Sequence, residues 1–230
     1  MRFRFPVVLF YIGSLSPILS RVLTVANEAF DKLIEAGIAW RGRGARQAAA
    51  KVEPSGWRVL DECLGGGWPR AALVELLSSG HQGLPLLLPL LARLSEGPRW
   101  LGWVAPPHLP FAPGLAASGI DLRKVLLVQQ VDEAQRLWAA EQMLGSASCA
   151  VVMLWPQRLQ TAQVRRLQLA AERGNCLGVL FRSLRDCGQS SPAAVRLKVS
   201  PSPLGLDVEV LKRRAGWGGQ SCSVRLPSTV

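Results

Sequence analysis

The chain has only two histidines, His81 and His108, one tyrosine, and 16 acidic residues against 27 basic ones. Two histidines exclude a histidine-rich metal centre, and a Ser/His/Asp triad would have to draw on one of two loop histidines. The five cysteines, at 63, 149, 176, 187 and 222, are odd in number and never closer than eleven residues. That spacing fits neither a disulfide framework nor a paired-cysteine metal knuckle, and it implies a reducing, cytoplasmic home and no metal. No internal repeat or low-complexity tract is present. The shortage of acid leaves a formal charge of +11, and 22 of the 27 cations are arginine, the side chain suited to forked contacts with carboxylate or phosphate. A polyanion or an acidic protein surface is the natural partner of such a chain.

What is abundant is apolar: 49% of 230 residues, with 19% charged and a mean hydropathy of +0.19. This excludes a disordered or collagen-like protein and supports one buried core with appendages. Residues 1–24 read as an apolar leader outside that core. Arg2 and Arg4 precede sixteen uncharged residues, but Pro6, Gly13 and Pro17 interrupt them, and a membrane span needs about 20 predominantly apolar residues. No membrane partner is implied. Residues 25–52 read as an N-terminal helix, capped by Asn27 and carrying Phe30, Leu33 and Ile34 on one face, followed by a basic linker with Arg41, Arg43, Arg46 and Lys51.

From residue 53 to 214 the pattern becomes that of an α/β core. Ala72–Leu77, Trp100–Ala105, Val125–Val128, Cys149–Leu154 and Cys176–Phe181 are short, continuous apolar runs, as in strands buried on both faces. They alternate with helical spacing over Leu86–Ser95, Asp132–Leu144 and Thr161–Arg173, which predicts right-handed βαβ units and a mostly parallel sheet. Ala194–Val199 and Gly205–Leu211 alternate apolar and polar residues around Pro201-Ser202-Pro203, which predicts a terminal antiparallel hairpin. Residues 215–230, with Trp217 among glycines, read as a flexible tail.

The segment after the first core strand, Ser78-Ser79-Gly80-His81-Gln82-Gly83-Leu84-Pro85, has the outline of a phosphate loop without its chemistry. Gly83 takes the second glycine position, but Ser78, Leu84 and Pro85 stand where glycine, lysine and a hydroxyl residue belong. Leucine neutralises no phosphate, and proline offers neither a metal-binding hydroxyl nor an N–H. Pro89 predicts a kink in the following helix.

The run from Ser55-Gly56-Trp57 through Gly65-Gly66-Gly67-Trp68-Pro69-Arg70 to Leu73-Val74-Glu75-Leu76 resembles the approach to the phosphate loop in RecA recombinases. Together with Trp103-Val104-Ala105-Pro106-Pro107-His108, Leu167–Glu172 and Leu211-Lys212-Arg213-Arg214, it resembles the ImuA family of RecA-related proteins in bacterial SOS mutagenesis. That resemblance implies a RecA-like phosphate-loop-type core with a degenerate nucleotide site at Ser78, Gly83, Leu84, Pro85, Pro107 and Trp155. The last two fall where RecA carries its water-activating glutamate and its metal-facing acid. It implies no enzyme activity and no cofactor. It further implies an accessory protein of error-prone translesion synthesis that binds RecA, an ImuB-like Y-family polymerase relative and an error-prone replicative polymerase complex, touching DNA at most indirectly. Phe30, Leu33, Ile34, Lys212, Arg213, Arg214 and Trp217 are then the partner-binding candidates. Two alternatives stay open: a SulA-like cell division inhibitor, a family that resembles a shortened, nucleotide-free RecA fold and binds FtsZ, and an NTPase with a divergent loop.

Overall fold

The computed structural model describes residues 52–80, 82–129, 132–214 and 218–227. The predicted N-terminal helix with Phe30, Leu33 and Ile34, the linker through Lys51, His81 and Trp217 lie outside the described residues.

Eight strands form one sheet: β3 (Ala72–Ser78), β4 (Trp100–Val104), β5 (Val125–Val128), β6 (Cys149–Leu154), β7 (Leu177–Ser183), β8 (Val195–Ser202), β9 (Gly205–Arg213) and β10 (Ser221–Arg225). A small ladder, β1 (Val52–Glu53) with β2 (Trp68–Pro69), stands apart. The strand order is β10-β9-β8-β3-β7-β6-β4-β5. The run from β8 to β5 is parallel, whereas β8, β9 and β10 pair antiparallel. The expected RecA-like phosphate-loop core is corrected here: the sheet is mixed, with a three-stranded antiparallel block along one side. Alternating polar positions let β9 and β10 turn one face to water, which the continuously apolar β3, β6 and β7 cannot do.

The sheet is packed on both faces. Val74, Leu76, Val151, Met153, Trp155 and Phe181 point into the same cluster as Leu60 of α1 (Arg58–Leu64) and Leu86, Leu87, Leu90 and Leu91 of α2 (Leu84–Ser95). Leu73, Val152, Leu154 and Leu180 point the other way, to Ala140 and Leu144 of α4 (Glu133–Gly145) and Val164, Leu167 and Ala171 of α5 (Thr161–Arg173). The period of two along each strand produces both clusters.

Two differences from the sequence reading have local causes. Helix α2 begins at Leu84 and runs twelve residues through Pro89. Pro85 sits in the first turn, where its missing N–H costs nothing, and the buried leucines hold the remainder. Pro89 packs so close to Gly56 that a β-carbon there would lie 2.4 Å from its Cβ, and Gly56 has a φ of +88°, so this turn requires glycine. The second difference is β10, within the segment expected to be a tail. It pairs Cys222 with Val208 and Val224 with Leu206, and Val224 is buried.

Candidate partner-binding site

The ends of β4, β6 and β7 open onto one side of the sheet. At the end of β4 the chain leaves through Ala105, whose φ of +48° is uncommon for a residue with a β-carbon, and its N–H bonds the Val128 carbonyl at 2.8 Å. The following residues, Pro106-Pro107-His108-Leu109-Pro110-Phe111, form no regular element before α3 (Ala112–Ala117). Three prolines fix much of this loop's backbone in advance, so presenting its side chains costs little entropy. Leu109 is 71% exposed and Phe111 74%. The Phe111 ring lies over Gly114, where an added β-carbon would meet its Cδ1 at 3.0 Å. Half of the ten exposed large apolar side chains among the described residues, Trp100, Leu109, Phe111, Leu122 and Leu126, fall between the start of β4 and β5. Leu109 and Phe111 stand together where the chain leaves the end of β4, whereas Trp100 and Leu122 lie at the starts of β4 and β5.

Beside the loop lies a cavity of about 660 Å³ lined by Ala105, Pro106, Pro107, Gln129, Arg136, Trp155 and Gln157. Behind this wall Trp155 is stacked, 4.4 Å from Phe181 at 4° and 5.8 Å from Trp103 at 21°. The structure thus brings Pro107 and Trp155 together, with Trp155 buried on the apolar side. Ser78, Gly83, Leu84 and Pro85 gather separately, at the junction of β3 and α2. Ser78 Oγ donates to the Gln82 carbonyl at 3.1 Å. Gly83, with φ +114°, caps α2, and a β-carbon there would meet Leu76 Cδ1 at 3.2 Å. Among the described residues no group of three or more His, Cys, Asp or Glu side chains is placed to hold a metal ion.

Lys212, Arg213 and Arg214, at the end of β9, point into the molecule's own contacts. Lys212 Nζ donates to the Ser191 carbonyl at 2.6 Å and Arg214 bonds Glu172 at 2.9 Å. Burial, and next the Arg196 charge, lower the Lys212 pKa. Arg213 Nε is buried without a hydrogen-bond partner. His108 is exposed in the proline loop.

Sequence reasoning missed a buried ionic network beneath the 184–194 segment. Glu75, fully buried in β3, accepts from Arg182 Nη1 at 2.8 Å, Ser191 Oγ at 2.8 Å and Arg196 Nε at 2.6 Å. Arg182 also pairs with Asp186 at 3.2 Å, and Arg196 donates to the carbonyls of Asp186, Cys187 and Gln189. Two cations thus meet two anions out of water, and the segment that leaves β7 is tied down. A charged residue inside Leu73-Val74-Glu75-Leu76-Leu77 was the available signal, since glutamate is almost never fully buried without a partner.

With this geometry established, comparison with known proteins identifies relatives. The family model described as "Cell division inhibitor SulA" matches residues 78–178. A cell division inhibitor SulA of Edwardsiella piscicida is 35% identical over 117 residues, covering 50% of this chain and 70% of that protein. One from Yersinia pestis (strain Pestoides F) is 35% identical over 114 residues, covering 50% and 68%. The crystal structure of SulA from Pseudomonas aeruginosa aligns with 31% identity and a TM-score of 0.40 over 48% of this chain and 97% of that one. These matches correct the ImuA resemblance and the partners it implied: RecA, an ImuB-like polymerase relative and an error-prone replicative polymerase complex. The motifs behind that resemblance lie in the scaffold around β3, β4 and α5, and a shared scaffold does not fix a function. The matched region contains the proline loop and the exposed apolar segment from Trp100 to Leu126.

Proposed function

This chain belongs to the SulA family of cell division inhibitors, and from that premise we propose that it stops division by binding FtsZ through the exposed segment from Trp100 to Leu126, without catalysis. The observation that supports this best is the outward presentation of Leu109 and Phe111 on a proline-stiffened loop inside the matched region. An interface needs apolar anchors held in place before binding, rimmed by polar groups, and the loop and adjoining polar cavity supply both.

The absence of catalysis follows from residue types. Leu84 and Pro85 stand in the phosphate-lysine and hydroxyl positions, and Trp155, stacked on Phe181 and Trp103, follows β6 where an acid would face a metal. A nucleotide triphosphate would meet no phosphate clamp and no metal ligand there. No helix among the described residues is long and apolar enough to cross a membrane, and five free cysteines fit a reducing compartment, so we place the protein in the cytoplasm. We assign residues 53–214 to the core together with β10, whose Val224 is buried in it; the SulA match lies inside residues 53–214.

The cellular test is induced expression in a rod-shaped bacterium whose own inhibitor is deleted. The outcome supporting the proposal is growth into long filaments with segregated nucleoids and no septa. Normal division at high levels of folded protein would refute it.

A further inference from the structure

A second cavity, of about 680 Å³, adjoins the first and shares Gln157 and Ser183 with it. Its walls carry Arg158, Arg185 and one acid, Asp186, among the side chains of Gln157, Gln160, Gln163 and Gln189. Arg158 and Arg185 are both exposed, and neither has a carboxylate within salt-bridge distance among the described residues. The acid in the wall, Asp186, is already paired with Arg182, and nearby Glu133 holds Arg136 and accepts from the Gln157 N–H. The groove is therefore positive where it is open.

We infer that this groove receives an extended acidic segment of a protein partner, whose carboxylates meet Arg158 and Arg185 while its main chain bonds the glutamines. The inference rests on the reading of the molecule as a protein-binding inhibitor and names a second contact beside the proline loop. The side-chain oxygens of Gln160, Gln163 and Gln189 already accept from the Gln163 N–H, the Gln160 N–H and Arg182, which leaves their amide N–H groups to donate to the carbonyls of an extended peptide. Single-stranded nucleic acid is the other anion of this size, but it is held by exposed aromatic faces on which bases stack. No aromatic side chain lines the groove, and Trp155 in the adjoining cavity is only 6% exposed and packed against Trp103 and Phe181, so neither provides such a platform.

The test uses the full chain and a fluorescent dodecapeptide of alternating Asp and Leu, with its Asn counterpart and a dT oligonucleotide of equal length as comparisons. Fluorescence anisotropy should show the acidic peptide binding more tightly than both. The Arg158→Glu/Arg185→Glu variant should lose at least about tenfold in affinity. Arg58→Glu/Arg225→Glu makes the same charge change on exposed residues outside the groove and should lose much less. Equal losses in the two variants, or tighter Arg158-dependent binding of the oligonucleotide, would overturn the inference. Inhibition of FtsZ by the same proteins is read in parallel. A wild type that binds the peptide but leaves FtsZ untouched refutes the functional proposal alone, whereas an Arg158→Glu/Arg185→Glu variant that inhibits fully while wild type fails to bind the peptide refutes the groove alone.

Discussion

At the scale of single residues, Glu75 and Cys222 make opposite demands on their surroundings. Glu75 is held in the core by the two guanidinium groups of Arg182 and Arg196 and the Ser191 hydroxyl. Removing its charge while leaving two buried guanidinium groups should cost about 3–5 kcal/mol, so Glu75→Gln should unfold at markedly lower urea with an unchanged m-value. A loss under about 1 kcal/mol would show the network to be dispensable. Cys222 is kept neutral: burial, and then the neighbouring Cys63 thiol, push its pKa up to about 12. At pH 8 almost none of it is thiolate, the reactive form, so a mild disulfide reagent should label it slowly and faster as pH rises. The sign for stability follows. The unfolded chain releases this proton near the ordinary value of 9.0, so above that pH the unfolded state binds fewer protons and the fold weakens with further alkali. Labelling at pH 8 as fast as a free cysteine peptide would contradict this placement.

Among elements, the strands buried on both faces, such as Cys149–Leu154, were the most legible in the sequence, because a short continuous apolar run reads as a strand, whereas the equally apolar Val125–Val128 forms its strand at the sheet edge with Leu126 exposed. Helix α2 starts at Leu84, two residues before the helical spacing predicted, because Pro85 fits the first turn, and buried leucines hold it past Pro89. Strand β10 was hidden because Ser221-Cys222-Ser223-Val224-Arg225 buries only Val224 fully and owes its order to pairing with β9. The site was the least legible part. Residue types showed that phosphate chemistry was missing at Leu84, Pro85 and Trp155, but exposure of Leu109 and Phe111 depends on where a proline loop leaves the sheet, which periodicity does not record. Because those two side chains are mostly in water, Leu109→Asp and Phe111→Asp should change stability by no more than about 0.5 kcal/mol. Thermal melts within a few degrees of wild type would agree with that, and a collapse in melting temperature would show the loop to be part of the core.

The whole molecule combines a packed sheet, a phosphate-loop end without phosphate chemistry and apolar side chains held outward on a proline loop. Calorimetry with Mg-ATP should give no saturable heat at micromolar nucleotide, and clear binding would restore the divergent NTPase reading. The most direct measurement is sedimentation of purified FtsZ polymers with GTP, titrated with the wild-type chain and with the folded Leu109→Asp/Phe111→Asp variant. Wild type should move FtsZ from pellet to supernatant at near-stoichiometric amounts, and the variant should need at least about tenfold more, as expected on losing two apolar anchors. Equal activity of the two proteins, or no effect of the wild type on the pellet, would contradict it.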